Sequence, residues 1–231
     1  MKELHPLQRV LNLIENHSAP MVVFDIDSTI MNTSTRNFKI LQEAAKIYRE
    51  IAPFLTKLDP IKMGWNVMDD LRIAGYKNES ILAKIADFWK ERFFTDDFVL
   101  YDIPYPNVAN FITKLYDSGA VLYYLTGRDL PNMSKGTIES FTIHGLPVGD
   151  RTIFHFKPNF EMPDFDFKKE AFSDIKNHKL DVLAIFENDP ANANIFKEHF
   201  PDAEVFLIDT VTPPNPPLPR KDLILFDSWD Y

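Results

Sequence analysis

The sequence predicts an α/β fold: a parallel sheet with helices on both faces, interrupted after its first strand by an all-helical stretch. Three observations predict it. Short apolar runs, at residues 21–24, 121–125, 153–156, 182–186 and 205–208, recur without polar alternation, as in strands buried on both faces. In the second half these runs alternate with stretches of helical spacing, the signature of a parallel sheet with crossover helices. Residues 33–100 carry only helical spacing.

Taken in order, Leu4, Leu7, Leu11 and Ile14 space a short opening helix that Pro20 ends. Residues 21–24 (MVVF) form the first strand, ending abruptly in polar residues. From Thr33, apolar positions recur at Phe38, Leu41, Ala45 and Tyr48, then at Ile61, Trp65, Met68 and Leu71, then at Ile81, Leu82, Ile85, Phe88 and Trp89. Pro53, Pro60 and Gly75 punctuate them, giving three or four helices and no strand. A helix through Val108, Phe111, Ile112 and Leu115 precedes the strand at 121–125. Helices at 132–141, 167–177 and 191–199 then separate the remaining strands. Residues 213–219 (PPNPPLP) read as an extended polyproline II strap, and residues 223–226 as an added edge strand. The expected division is a core of residues 1–32 and 101–231 around an insertion of residues 33–100.

Composition narrows the function. The chain has 231 residues, 45% hydrophobic and 26% charged, the balance of an ordinary globular protein. Its 20 Phe predict an aromatic core. Lys and Arg number 25 against 34 Asp and Glu, a net charge of −9 without a basic run, which argues against binding long nucleic acid. The absence of cysteine excludes disulfides, zinc–thiolate sites and cysteine nucleophiles. The six His form no zinc-hydrolase spacing. The charged N-terminus and the lack of a long apolar run give the expectation of a cytoplasmic protein with no membrane association. Oligomeric state is not legible.

Three strand ends carry polar groups: Asp25-Ile26-Asp27-Ser28-Thr29, Thr126-Gly127-Arg128-Asp129, and Glu187-Asn188-Asp189-Pro190. Crevices of parallel sheets lie beyond the carboxyl ends of the strands. Read locally, these residues also suit turns and helix N-caps, with Asp129 and Asp189 preceding helices and Pro190 in a first turn. An extended segment points Asp25 and Asp27 to one side.

In order and spacing, these motifs resemble the haloacid dehalogenase-like hydrolase superfamily, phosphatase type. Its D-x-D-x-T motif is met by Asp25, Asp27 and Thr29. Its strand-ending Ser or Thr is met by Thr126 in the form Thr-Gly-Arg. Its Lys precedes, and its acid pair is met by, Glu187 and Asp189. The resemblance implies a Rossmann-like core with a helical cap at residues 33–100. It also implies a Mg²⁺-dependent phosphoric monoester hydrolase acting through an aspartyl-phosphate. Asp25 would be the nucleophile and Asp27 the general acid and base. Thr126, Gly127, Arg128 and Lys168 would bind the phosphoryl group. Asp25, Asp27 through its carbonyl, Glu187 and Asp189 would hold the metal. The lysine is Lys168, about twenty residues before Glu187, with Lys157 and Lys169 as alternatives. Glu187 is the expected direct ligand and Asp189 one acting through water. A small phosphorylated metabolite is the expected substrate. A nucleotide or nucleic-acid-end phosphatase, or a silent module of the same fold, is the alternative. The Trp and Phe residues of the insertion fall at helical spacing and read mostly as the core of the cap, with Trp65 or Phe38 as the candidates to face substrate.

Overall fold

The computed structural model describes residues 4–231; residues 1–3, the start of the expected core, lie outside that description. The run Pro20–Phe24 is buried throughout and forms β1, the strand on which the sheet turns. Its side chains alternate between two cores. Val22 and Phe24 join one cluster, Met21 and Val23 the other, as a pleated strand requires.

β1 is flanked by β4 (Val121–Asp129) and β6 (Asp181–Glu187), with Phe24 opposite Tyr124 on one side and Phe186 on the other. Beyond β4 lies β5 (Thr152–Lys157). Beyond β6 lie β7 (Glu204–Ile208) and β8 (Ile224–Phe226). The order β5-β4-β1-β6-β7-β8 is parallel throughout. It reverses direction at β1, so the crevice opens at the end of that strand. Phe24, Phe186 and Phe206, on three neighbouring strands, stack at centroid distances of 5.0 and 4.5 Å, so part of the abundant Phe forms a ladder across the sheet.

One face is covered by α1 (Pro6–Glu15), α7 (Val108–Asp117) and α8 (Leu130–Ile143), the other by α9 (Asp164–Asn177) and α10 (Pro190–His199). Helix α1 buries Leu7, Leu11 and Ile14 as their spacing requires; Leu4 precedes the helix and stays exposed. The edge strand β8 forms as expected. The strap before it is not a continuous polyproline II helix, because Asn215 takes a left-handed φ of 54°. The Asn194 side chain holds its far end, donating to the Leu218 carbonyl and accepting from the Arg220 N–H.

Between β1 and α7 the chain leaves the sheet through a two-stranded antiparallel ribbon, β2 (Met31–Asn32) and β3 (Ile103–Pro104). The segment it encloses is helical: α2 (Ser34–Ile47), α3 (Ala52–Leu55), α4 (Val67–Ile73), α5 (Glu79–Phe93) and α6 (Asp96–Val99). Two are single turns, which spacing alone does not resolve. Their buried side chains, Ile40, Leu41, Leu71 and Ile85 among them, form a third cluster separate from the two sheet cores. Among the described residues no helix is long and apolar enough to cross a membrane.

Candidate active site

Asp25 follows β1 directly. Its N–H still bonds the Phe186 carbonyl at 3.0 Å, so the carboxylate leaves the sheet at a fixed angle. Oδ1 accepts from Lys168 Nζ at 2.6 Å and Oδ2 from the Thr29 hydroxyl at 2.7 Å. Ser28 takes a left-handed φ of 61°, an uncommon conformation for a residue with a side chain. That conformation turns the chain from the Asp25–Asp27 segment back toward β2. Lys168, near the start of α9, also donates to Glu187 Oε2 at 2.7 Å. Lys157 instead pairs with Asp164 at 2.7 Å, and Lys169 is exposed. Of the three candidate lysines, Lys168 reaches Asp25.

Two carboxylates thus share one buried ammonium. Burial and then the Asp25 charge push Glu187 up to about 8, against the pull of Lys168. Burial raises the Asp25 carboxyl, and Lys168 opposes it. Burial lowers Lys168, but the charges of Asp25 and Glu187 outweigh it and raise the group well above its usual value.

Asp27 stands in a second, larger network. Arg128 reaches it through two bonds, Nε to Oδ2 at 3.0 Å and Nη2 to Oδ1 at 2.8 Å. Arg36, near the start of α2, adds Nη2 to Oδ1 at 2.7 Å. Both arginines also bind Asp102, which is fully buried. Burial pushes the Asp27 carboxyl up, but Arg128 and then Arg36 outweigh it and hold it well below the usual carboxylate range. The expected acid–base residue therefore lies in the cleft with both oxygens already accepting guanidinium donors.

The other expected residues divide. Gly127 and Arg128 line the cleft. Thr126 does not: it is fully buried, and its hydroxyl accepts from the Arg128 N–H at 3.2 Å. Its observed role is to shape the turn that aims Arg128. Asp129 caps α8 by accepting from Asn132 N at 3.2 Å. Asp189 caps α10 by accepting from Ala191 N at 2.8 Å, the local role its position before Pro190 suggested. Glu187 turns Oε1 to the N–H groups of Asn188 and Asp189, both at 3.0 Å, and Oε2 to Lys168. Glu187 is thus bonded through both oxygens, whereas Asp189 caps through Oδ1 alone; both line the cleft. Among the described residues no three acidic or imidazole side chains are gathered as a metal cluster.

Oxygen donors for a cation nonetheless converge here. Thr29 Oγ1 lies 2.7 Å from Asp25 Oδ2 and 3.0 Å from Asn188 Oδ1. A hydroxyl has one proton for these two acceptors, so one acceptor is left without it. The cleft is lined by the carboxylates of Asp25, Asp27, Asp164, Glu187 and Asp189 against the cations Arg128 and Lys168. All-oxygen donors with one or two carboxylates suit Mg²⁺, which keeps several of its waters. The residues fit the metal, with neutral Asn188 taking the place expected for an acid.

The cleft encloses about 280 Å³. Its outer wall comes largely from the helical segment: Trp65, Trp89, Phe93 and Phe94, with Phe165 of α9 opposite the segment in sequence. Trp65 lines it as expected. Phe38 packs instead in the segment's own cluster. Arg36, Asp102 and Asn188 were not singled out from the sequence. The Arg36–Asp102 pair spans 66 positions and the Asn188–Thr29 pair 159; Asn188 sits inside the strand-end motif, between the two acids that drew attention there.

No family model matches the chain, and no curated protein matches it. Solved structures do. A candidate phosphatase from Clostridium difficile superposes with a TM-score of 0.53 at 12% identity, covering 84% of this chain and 86% of that one. Protein Tyrosine Kinase A of Mycobacterium tuberculosis gives 0.51 at 11% identity, covering 92% and 95%. A haloacid dehalogenase-like hydrolase from Bacteroides fragilis gives 0.43 at 14% identity, covering 82% and 87%. The α/β fold predicted from the sequence is shared with the first two of these structures. Because a protein named as a kinase shares it, the fold leaves the reaction to the side chains.

Proposed function

We propose that this chain is a phosphatase that hydrolyses a small phosphate monoester through an aspartyl-phosphate on Asp25. The observation that carries the reading is the carboxylate of Asp25 at the sheet's switch point, with Lys168 Nζ 2.6 Å from Oδ1. A neighbour of the same fold described as a phosphatase supports it.

In the first step a carboxylate oxygen of Asp25 attacks phosphorus, the bond from phosphorus to the ester oxygen breaks, and the leaving oxygen takes up a proton. In the second, water attacks the phosphoryl-aspartate, loses a proton and releases inorganic phosphate with Asp25 restored. Splitting one hard displacement into two is the gain of covalent catalysis. Lys168 offsets the charge that builds on the phosphoryl oxygens, a fixed electrostatic contribution of several kcal/mol in such sites. Arg128 and the Gly127 backbone face the same space. Asp25, Asn188 and the Asp27 carbonyl would hold Mg²⁺, which when bound supplies positive charge to the phosphoryl oxygens.

Asp27 moves the protons in this reading, but only when its guanidinium partners loosen. One of them, Arg36, belongs to the helical segment. We therefore read residues 33–100 as a cap whose movement both admits substrate and frees Asp27. A cap over the cleft favours small esters over polymers.

The test is phosphate release from p-nitrophenyl phosphate with and without Mg²⁺. Asp25→Asn is expected to abolish turnover while leaving the circular dichroism spectrum unchanged, and acid-quenched wild type should retain label from a ³²P ester. Undiminished turnover in Asp25→Asn would refute the assignment.

A further inference from the structure

We propose that the cleft selects phosphate esters whose leaving group carries a flat aromatic ring. This deepens the phosphatase reading and rests on it. The cleft is also lined by aromatic side chains from separate stretches of chain: Trp65 before α4, Trp89 and Phe93 on α5, Phe94 just after it, and Phe165 on α9. Apart from Thr33 and Asn37, the helical segment offers that wall no polar side chain. A planar ring would find aromatic side chains from both the helical segment and α9.

The wall is held in place before any ligand arrives. Trp89 stacks on Phe93 at 4.5 Å between centroids, and its indole N–H donates to Asn37 Oδ1 at 2.7 Å. With its only polar group satisfied, the indole is fixed in plane. Phe93 is held on its other contact by the Arg36 guanidinium, 4.0 Å from the ring centroid. Phe94 meets both rings edge-on, at 5.7 and 5.0 Å. Trp65 and Phe165 differ: they are 55% and 42% exposed. Scattered exposed aromatics need no explanation. These two come from positions 65 and 165 and border the same cavity. A buried acceptor, Asn192 Oδ1, also borders this cleft and has no hydrogen-bond partner among the described residues.

Two sources of this chemistry exist, nucleoside monophosphates and phenolic phosphates, and one panel separates them. Wild-type protein with Mg²⁺ is assayed on nucleoside 5′-monophosphates, phenyl phosphate and phosphotyrosine, and ribose and glucose phosphates. At least one aromatic class should exceed the sugar phosphates in kcat/KM by 10-fold or more, and the better of the two names the source. Loss of one stacking face is worth about 5- to 100-fold. Trp65→Ala and Phe165→Ala, both at exposed positions and so safe for folding, should each reduce the aromatic-to-sugar ratio within that range through KM. In parallel, Asp25→Asn with Mg²⁺ is titrated with the same esters by tryptophan fluorescence. Saturable quenching by the aromatic esters alone supports the proposal even if turnover fails, which isolates failure of the phosphatase reading. Equal or better use of sugar phosphates, unchanged ratios in both variants, or binding without preference for the ring would overturn it.

Discussion

The network that ties Arg36, Arg128, Asp27 and Asp102 makes a quantitative demand on stability. Asp102 is fully buried and accepts three guanidinium N–H bonds, at 2.8 and 2.6 Å from Arg36 and 2.7 Å from Arg128. In Asp102→Asn the volume is kept and the charge is lost. Two buried guanidiniums then face Asp27 alone, and the new amide N–H₂ points donors at donors. Leaving one buried charge uncompensated costs about 3–5 kcal/mol, which for a chain of this length lowers Tm by roughly 6–20 °C. The assay is urea and thermal unfolding followed by circular dichroism.

A second variant separates charge balance from generic damage. In Arg36→Met/Asp102→Asn, Arg128 again faces one carboxylate, and the Met side chain still covers Phe93, over which Arg36 lies. Residues in one ion network do not add independently, so the double variant should be more stable than Asp102→Asn alone. Strict additivity of the two single losses would refute the network as an energetic unit. A loss below about 1 kcal/mol in Asp102→Asn, the scale of an exposed pair, would refute its burial as decisive.

Three more outcomes follow from single contacts. Lys168→Met leaves Asp25 and Glu187 buried without their shared cation. It should abolish turnover and cost about 3–5 kcal/mol in unfolding, with Lys168→Met/Glu187→Gln regaining part of the stability but none of the activity. Asn188→Leu removes the neutral oxygen beside Thr29 and should raise the Mg²⁺ concentration for half-maximal activity about 10-fold or more, read by metal titration and checked by calorimetry. Gly136→Ala places a methyl against the Asp96 backbone, where α6 meets α8. That overpacking should cost about 1–3 kcal/mol and increase hydrogen exchange across α6, while Gly119→Ala, which has open space around it but a φ of 98°, should show its loss without any change at α6.

How far the site is legible in the sequence depends on which face of each strand is known. The strands were recoverable because a doubly covered parallel sheet writes itself as apolar runs. The motif order located three strand ends that meet the cleft, those of β1, β4 and β6, but not the segment after β7 that brings Val211 to it. The two single-turn helices α3 and α6 and the kink at Asn215 were not recoverable, since each is set by packing or by one backbone angle rather than by periodicity. Partner choice shows the limit best. Phe24 and Phe186 face the α1–α7 side of the sheet, so the next residues, Asp25 and Glu187, turn to the other side, which α9 covers. Lys168 is buried on α9 directly after Phe167, which packs in that second core, and so meets both acids at once. Strand alternation plus the helix's side therefore forces the Asp25–Lys168–Glu187 triad. The same alternation leaves Asn188, the next residue, to turn toward Thr29. Spacing identified which acids end the strand. Only the pleat decides that the neutral residue between them is the one presenting an oxygen beside Asp25.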